Sequence, residues 1–370
     1  MRYSVLLGKG VRATGTGLIP GWLDSGREYR KPASLPRIPR QGRNHALACQ
    51  SHRCQRDPLA ALPQRADHGR QAGRLSAFVR RLRCVDGTRS VKKPDVPITD
   101  ELAGTRGARI KVGIGGWNFP PWRDNFYPQG LPQRRELEYA SRHLATLEIN
   151  STFYRAQTPK VYARWRDETP PGFVFSLKAP RQVAELRKLA GAGALVRGFL
   201  FGGLAEFGDR LGPIAWQFPP SRTFDRDDFA AFLDLLPHEL AGRPLRHALE
   251  VRNQTFLCDE FLQLARARGV ACVYTDSREY PNFADLTGNF VYARLMRSRE
   301  SEPDGYPANE LEAWAGRARQ WHTGGEPDDL PKVSPESRTA PAPRDVFVYF
   351  ISAAKARNPA AAKALQGRLT

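Results

Sequence analysis

Eight short apolar runs alternate with helical segments over residues 109–370, and this alternation constrains the fold more than any other feature. The runs are rich in the β-branched and aromatic residues that favour strands. The predicted strands are 110–117, 146–153, 173–179, 213–218, 247–252, 270–276, 290–296 and 345–351. Strands that alternate with helices indicate successive βα units and a parallel sheet.

Two architectures accommodate such a pattern. Eight βα units match the (β/α)₈ barrel, which typically takes about 250 residues. The alternative is an open, doubly wound sheet. It has less support because Gly113, Gly115 and Gly116 lack the G-x-G-x-x-G spacing of a dinucleotide-binding turn. The sequence therefore predicts a TIM-type barrel over residues 109–370.

Residues 1–108 differ in composition from the remainder. They hold 21 of the 57 Lys and Arg residues but only eight of the 38 Asp and Glu residues, so most of the net charge of +19 belongs to them. Their apolar residues follow no period, and such a composition is typical of a disordered extension rich in Arg and Pro. A start site placed too far upstream is a second interpretation of this segment. Nucleic-acid association through these basic residues is a third.

Cysteine usage and hydropathy bear on the compartment. Five scattered cysteines, an odd number, do not form a secreted disulfide framework. We find no apolar run near the ~20 residues that a membrane span requires. The expectation is a cytoplasmic protein that does not bind membranes. The sequence does not indicate an oligomeric state.

Polar residues recur late in the predicted strands, on the face opposite the bulky apolar residues. Alternate strand residues share a face, and the C-terminal ends of barrel strands form the active-site mouth of this fold. The residues expected to converge there are Glu148, Asn150, Lys178, Gln217, Glu250, Arg252, Asp276 and Arg294. The aromatic residues Trp117, Tyr154 and Tyr349 are expected to form its wall.

Two chemical roles and one purely structural role are possible for these converging residues. Lys178, Arg252 and Arg294 can hold an anion, while Glu148 or Glu250 moves a proton with its pKa raised by burial. Alternatively, Glu148, Glu250 and Asp276 can hold Mg²⁺ or Mn²⁺ through oxygen. The metal is less favoured because no histidine falls late on an inner face, and the cofactor is otherwise unknown. In the structural interpretation these residues are only ion pairs.

Seven motifs make the chain resemble a known family. They are GIGGWNFPPWRDNFYP (113–128), LEINSTFYR (147–155), FSLKAPR (175–181), LGPIAWQFPP (211–220), ALEVRNQTF (248–256), VYARL (291–295) and VFVYF (346–350). In this order they resemble the YecE-like proteins of the domain-of-unknown-function family DUF 72. The resemblance implies a TIM-type barrel and no established reaction. It also implies as pocket residues Trp117, Glu148, Asn150, Lys178, Gln217, Glu250 and Arg252.

Two places depart from the commoner family pattern. Many members carry a Thr-His pair after the lysine of the third strand, whereas this chain has Gln182, Val183 and Ala184. Many carry an Asn pair after the eighth strand, whereas this chain has Ile351 and Ser352. Roles of those family side chains therefore do not transfer to this chain.

The leading functional hypothesis is an enzyme that acts on a small anionic or polyhydroxylated metabolite. Glu148, Lys178 and Glu250 are its candidate catalytic residues. The candidate substrate-binding residues are Trp117, Asn150, Tyr154, Gln217, Arg252, Asp276 and Arg294. The alternatives are a non-catalytic barrel that binds such a ligand, and a nucleic-acid-associated protein that acts through residues 1–108.

Overall fold

Eight parallel strands close into a barrel in the computed structural model, which describes residues 109–336 and 340–370. The barrel strands are β1 Ile110–Gly115, β2 Thr146–Ile149, β3 Val174–Lys178, β4 Leu211–Gln217, β5 His247–Glu250, β6 Ala271–Thr275, β7 Phe290–Leu295 and β8 Asp345–Phe350. Each strand pairs with its neighbours in the chain, and β1 pairs with both β2 and β8. The predicted barrel is confirmed. The doubly wound alternative is wrong, because an open sheet would have two unpaired edges.

Helices follow the strands and cover the outside of the barrel. Within the described residues they are α1 Glu136–His143, α2 Ser151–Tyr154, α3 Pro159–Asp167, α4 Arg181–Glu185, α5 Gly193–Leu200, α6 Arg226–Leu233, α7 Asp259–Ala267, α8 Ala308–His322 and α9 Asn358–Leu369. Local sequence explains several of their ends. Pro159 occupies the first position of α3, where its missing N–H costs nothing. The side chain of Asp225 caps α6 by accepting a hydrogen bond from the backbone N–H of Asp228 at 3.1 Å.

The strands bury both of their faces. Phe175 and Leu177 of β3 belong to the large apolar cluster between strands and helices, whereas Ala215 of β4 and Ala248 of β5 belong to a smaller cluster inside the barrel. The predicted assignment of faces is confirmed on these strands. Tyr292 of β7 also faces the interior, where the small side chains opposite leave room for its ring.

One predicted strand is too long. The predicted strand 146–153 ends at Ile149, because Asn150 has right-handed helical torsions and starts the single turn α2. The Thr152 Oγ1 of this turn hydrogen-bonds the Lys178 carbonyl at 2.7 Å, which holds the turn against β3. After β3, α5 ends at Leu200 and the chain continues in the 3₁₀ segment Leu204–Arg210, because Gly203 between them adopts a φ of 127°.

Predictions about residues 1–108 lie outside the described residues. In the described part of the chain, no single helix combines the length and apolar character needed to cross a membrane. The segments Leu189–Leu200 and Leu204–Arg210 meet that criterion only as a pair, bent by 67°.

Candidate functional site at the C-terminal mouth of the barrel

A buried arginine lies between two buried glutamates where the strands end. The Arg294 Nη2 donates to Glu148 Oε1 at 3.1 Å, and Nη1 of the same guanidinium donates to Glu250 Oε2. The three residues are 0 to 3 % exposed. Because an unpaired buried charge is very costly, the three side chains depend on one another. Together with Lys178 and Arg252 they form what we call the ionic cluster.

The barrel strands position the cluster by alternation. Glu148, Lys178, Glu250 and Arg294 come from β2, β3, β5 and β7, each at or next to its last residue. Arg294 follows Tyr292 by two residues and therefore points to the same interior face. The Tyr292 hydroxyl donates to Glu148 Oε2 at 2.7 Å. Both oxygens of Glu148 are therefore engaged by β7.

Glu250 is held as a carboxylate. Burial acts to raise its pKa, but the charges of Arg294, Arg252 and Lys178 outweigh burial and lower the pKa below its usual value. Arg252 contributes two contacts to Glu250 Oε1, at 2.7 Å from Nε and 2.6 Å from Nη2. The expectation that burial raises the pKa of this carboxyl is wrong, because three cations surround it.

Lys178 is the member of the cluster whose charge is least compensated. Its Nζ lies 4.0 Å from the centre of the Phe153 ring, and no described residue accepts a hydrogen bond from it. Burial, followed by repulsion from Arg294, lowers the pKa of Lys178 from 10.5 to about 8, although Glu148 and Glu250 partly oppose this shift. The ammonium therefore has donors to offer and can lose its proton near neutral pH.

Gln217 and Asn150 bring amides to the same end of the barrel. Gln217 lies opposite Glu250 in the β4–β5 register. Its Oε1 is buried and has no hydrogen-bond partner among the described residues. Asn150 follows β2, and its Nδ2 occupies the space that a Cβ on Gly115 would need, at 2.9 Å. Gln217 is thus the last residue of β4, whereas Asn150 belongs to the turn after β2 and not to a strand.

Aromatic side chains border the mouth. The Arg252 guanidinium lies 4.2 Å from the centre of the Tyr280 ring, a cation–π distance. Tyr154 is 69 % exposed, and the Arg181 guanidinium lies 5.9 Å from its ring centre. Tyr154 is thus an exposed residue of the turn that follows β2.

Three further predicted residues make their contacts elsewhere. Trp117 packs edge-on against Trp165 at 5.0 Å and near Phe175, on the helix side of the barrel. Tyr349 is buried within the barrel, where its hydroxyl lies 2.8 Å from Thr146 Oγ1, so it does not line the mouth.

The third is Asp276, which is engaged elsewhere. Its carboxylate accepts hydrogen bonds from the Met296 backbone N–H and the Tyr306 hydroxyl. Burial raises the pKa of Asp276 to about 6, against the opposing effects of the Met296 bond and of Arg297. It therefore connects β6 to the segment after β7.

The alternative of a shared divalent cation does not fit this geometry. The Arg294 guanidinium occupies the space between Glu148 and Glu250, and the Asp276 carboxylate contacts a different segment. Among the described residues, no three His, Cys, Asp or Glu side chains are grouped so that they could hold a metal ion.

A comparison with known protein families identifies the family of this chain. The sequence model of the family described as "Protein of unknown function DUF72" matches residues 111–370. The chain belongs to the DUF72 family. The match covers all eight strands except the first residue of β1, and therefore the whole ionic cluster.

Two curated relatives of this DUF72 protein carry only uncharacterised-family names. The UPF0759 protein YecE of Escherichia coli K12 is 32 % identical over 242 residues, which cover 58 % of this chain and 82 % of the relative. The UPF0759 protein YunF of Bacillus subtilis is 27 % identical over 169 residues, which cover 42 % of this chain and 54 % of the relative.

Solved structures of DUF72 proteins show the same fold. The Thermotoga maritima member TM1631 has a TM-score of 0.52 at 22 % identity, covering 70 % of this chain and 97 % of its own. An Enterococcus faecalis member has a TM-score of 0.51 at 18 % identity, covering 70 % of this chain and 95 % of its own. At these identities the likeness concerns the fold alone.

Sequence reasoning missed three residues of the DUF72 mouth. Tyr292 was identifiable, because it shares a strand face with Arg294. Phe153 was assigned to a strand, although in α2 its ring meets Lys178. Tyr280 lies in the irregular link between β6 and β7, and no sequence pattern indicated its contact with Arg252.

Proposed function

We propose that the mouth of the barrel binds a small anionic, hydroxylated metabolite and that Lys178 transfers a proton to or from it. The observation that carries the proposal is Lys178, a residue only 9 % exposed whose ammonium hydrogen-bonds no described residue. Its neighbours Glu148 and Glu250 are already bound to Arg294.

Charge supports the anionic part of the ligand. With Lys178 protonated, three cations face two carboxylates in the ionic cluster, so the protein leaves one positive charge in excess. An anion beside Lys178 and Arg252 would compensate that charge and accept the available N–H donors.

Gln217 is the reason to expect a hydroxyl group on the ligand. A buried acceptor without a donor costs roughly 1–3 kcal/mol, and Gln217 Oε1 is such an acceptor among the described residues. A ligand hydroxyl would supply the missing donor. The Arg252–Tyr280 pair and the Phe153 ring would give the ligand apolar contacts.

Proton transfer is argued from the pKa of Lys178. A general acid or base works best when its pKa lies near the operating pH, and the pKa of Lys178 is about 8. Glu250 is held ionised by its cationic neighbours. We therefore place the proton transfer on Lys178 and an orienting role on Glu148 and Glu250.

A thermal-shift screen tests the binding half of the proposal. The ligands are sugar phosphates, sugar acids and the corresponding neutral sugars. We expect a sugar phosphate or sugar acid to raise the melting temperature and its neutral counterpart to do so much less. Lys178→Met should abolish the shift, whereas Lys160→Met, at an exposed position on α3, should retain it. Equal stabilisation by neutral sugars would contradict an anion site.

A non-catalytic binding barrel is the second candidate. It is favoured by the hydrogen bonds from Arg294 and Tyr292 that engage both oxygens of Glu148. Incubation of each stabilising ligand with the protein, followed by mass spectrometry of the small molecules, separates the two candidates. Product formed by the native protein and not by Lys178→Met supports the enzyme. Binding without any conversion supports the binding barrel.

A further inference from the structure

A cavity lies on the helix side of the barrel, and its lining contains no residue of the ionic cluster. It measures about 350 Å³ and lies between the start of α1 and the end of α3. Trp117 and Trp165 line it, and Trp117 also packs against Phe175, which points outward from β3. A cavity of this size falls in the range of small-molecule sites.

Glu136 presents an unsatisfied acceptor in this cavity's wall. It is 1 % exposed, and its Oε1 accepts from Arg123 Nε at 2.7 Å. Its Oε2 is buried without a hydrogen-bond partner among the described residues. A carboxylate oxygen in this position is stabilised by a donor that carries positive charge, and no described residue donates to it.

Two tryptophans supply aromatic surface next to this acceptor. The ring centres of Trp117 and Trp165 are 5.0 Å apart at an interplanar angle of 83°. The cavity therefore offers both a ring face and a ring edge. A protonated amine is attracted to an indole face, and an apolar side chain packs well against either surface.

Two arginines also line the cavity. Arg134 lines the cavity and is exposed, with no ion pair among the described residues. Arg164 also lines it, but lies 3.6 Å from Glu168. Of these two arginines, the exposed Arg134 is therefore the one available to bind a carboxylate.

We propose that this cavity binds an α-amino acid with an apolar side chain. The ammonium would pair with the Glu136 carboxylate, the ligand carboxylate would pair with Arg134, and the side chain would lie against Trp117 and Trp165. A zwitterion satisfies both charged ends of the cavity, whereas a simple anion or a simple amine satisfies one.

Calorimetric titration of the full chain with three probes that share the same apolar side chain tests the proposal. The probes are L-leucine, 3-methylbutylamine, which lacks the carboxylate, and 4-methylpentanoate, which lacks the amine. We expect L-leucine to bind and each single-charge analogue to bind at least about tenfold more weakly, since each loses one charge-assisted hydrogen bond. Absence of leucine binding at millimolar concentration, or equal affinity for either analogue, would overturn the proposal.

Variants assign the binding to this cavity. Arg134→Gln changes an exposed residue and should weaken leucine binding at least about tenfold without altering the fold. Glu136→Gln should weaken it similarly. Glu185→Gln, an exposed position on α4, is the matched control and should bind as the native chain does. Lys178→Met should also leave leucine binding unchanged, and its loss there would place the ligand at the mouth instead.

Discussion

At the scale of the residue, the charged side chain of Lys178 lowers the stability of the folded protein. Burial and the neighbouring guanidiniums lower its pKa from 10.5 to about 8, a difference worth about 3 kcal/mol. The folded state therefore opposes its charge at neutral pH. Residues that lower stability are common at functional sites, so this cost agrees with a ligand-binding role.

Lys178→Met should accordingly stabilise the protein. The pKa of Lys178 is lower in the folded state, so the unfolded chain binds more protons between pH 8 and 10.5 and native stability rises with pH in that window. The variant lacks this contribution. We expect urea unfolding at pH 7 to show a gain of about 1–3 kcal/mol, and the difference from the native chain to shrink towards pH 10.5.

Lys111→Met is the matched control for this comparison. Burial likewise lowers the pKa of Lys111 to about 8, but its Nζ donates to the Gly172 carbonyl at 2.8 Å. The loss of that bond should cancel much of the gain. A Lys178→Met variant less stable than the native chain at pH 7 would contradict the account.

Arg294→Met should destabilise the protein strongly. The substitution leaves Glu148 and Glu250 buried without their shared cation, and breaking a buried pair in this way costs about 3–5 kcal/mol. Urea unfolding at pH 7 measures the loss. Arg155→Met, an exposed arginine next to α2, should change stability by less than about 0.5 kcal/mol.

A triple variant shows whether Arg294→Met destabilises the protein through unpaired charge or through lost packing. Glu148→Gln and Glu250→Gln added to Arg294→Met remove the stranded charges and should restore part of the lost stability. If the triple variant is no more stable than Arg294→Met, the loss does not come from unpaired charge.

At the scale of the element, β1 and β2 approach each other unusually closely. A Cβ on Gly113 would lie 1.9 Å from the Thr146 carbonyl oxygen, a backbone atom held in the barrel. Only glycine fits at this position without moving a strand.

Gly113→Ala should therefore destabilise the barrel by about 3 kcal/mol or more, as measured by urea unfolding. Gly191→Ala is the control, because a Cβ there meets no atom within 4 Å, and it should be neutral or slightly stabilising. Equal stability of the two variants would show that β1 and β2 are not packed as described.

The sequence predicted the elements better than the side-chain contacts. The strands could be predicted because helical patterns separate their apolar runs. The residues of the ionic cluster could be predicted because they lie near the C-terminal ends of strands, on the face that points into the barrel. The end of β2 was not readable, since Asn150 leaves the strand at a residue with no Gly or Pro signal. Trp117 was placed at the mouth because it follows β1, and its partner Trp165 is distant in sequence.

At the scale of the whole molecule, positive charge is unevenly distributed along the chain. Residues 1–108 hold most of the net charge of +19, whereas residues 109–370 carry 36 Lys and Arg residues against 30 Asp and Glu residues. Any salt-dependent affinity for nucleic acid should therefore belong to residues 1–108.

Removal of residues 1–108 tests this division. We expect the chain starting at Arg109 to lose whatever binding the full chain shows to a fluorescent single-stranded oligonucleotide in a salt titration. Its unfolding transition should match that of the full chain. Binding that survives the truncation would place the nucleic-acid contact on the barrel.

The central claim is that Lys178 is a buried residue at the mouth of the barrel and that no described residue accepts a hydrogen bond from its ammonium. The most direct test is an NMR titration of the full chain labelled with ¹³C at lysine Cε, in which the Lys178 signal is assigned by its absence from Lys178→Met. We predict that this signal titrates near pH 8 and moves to higher pH when an anionic ligand binds. A Lys178 signal that titrates near 10.5, as an ordinary solvated lysine does, would contradict the account.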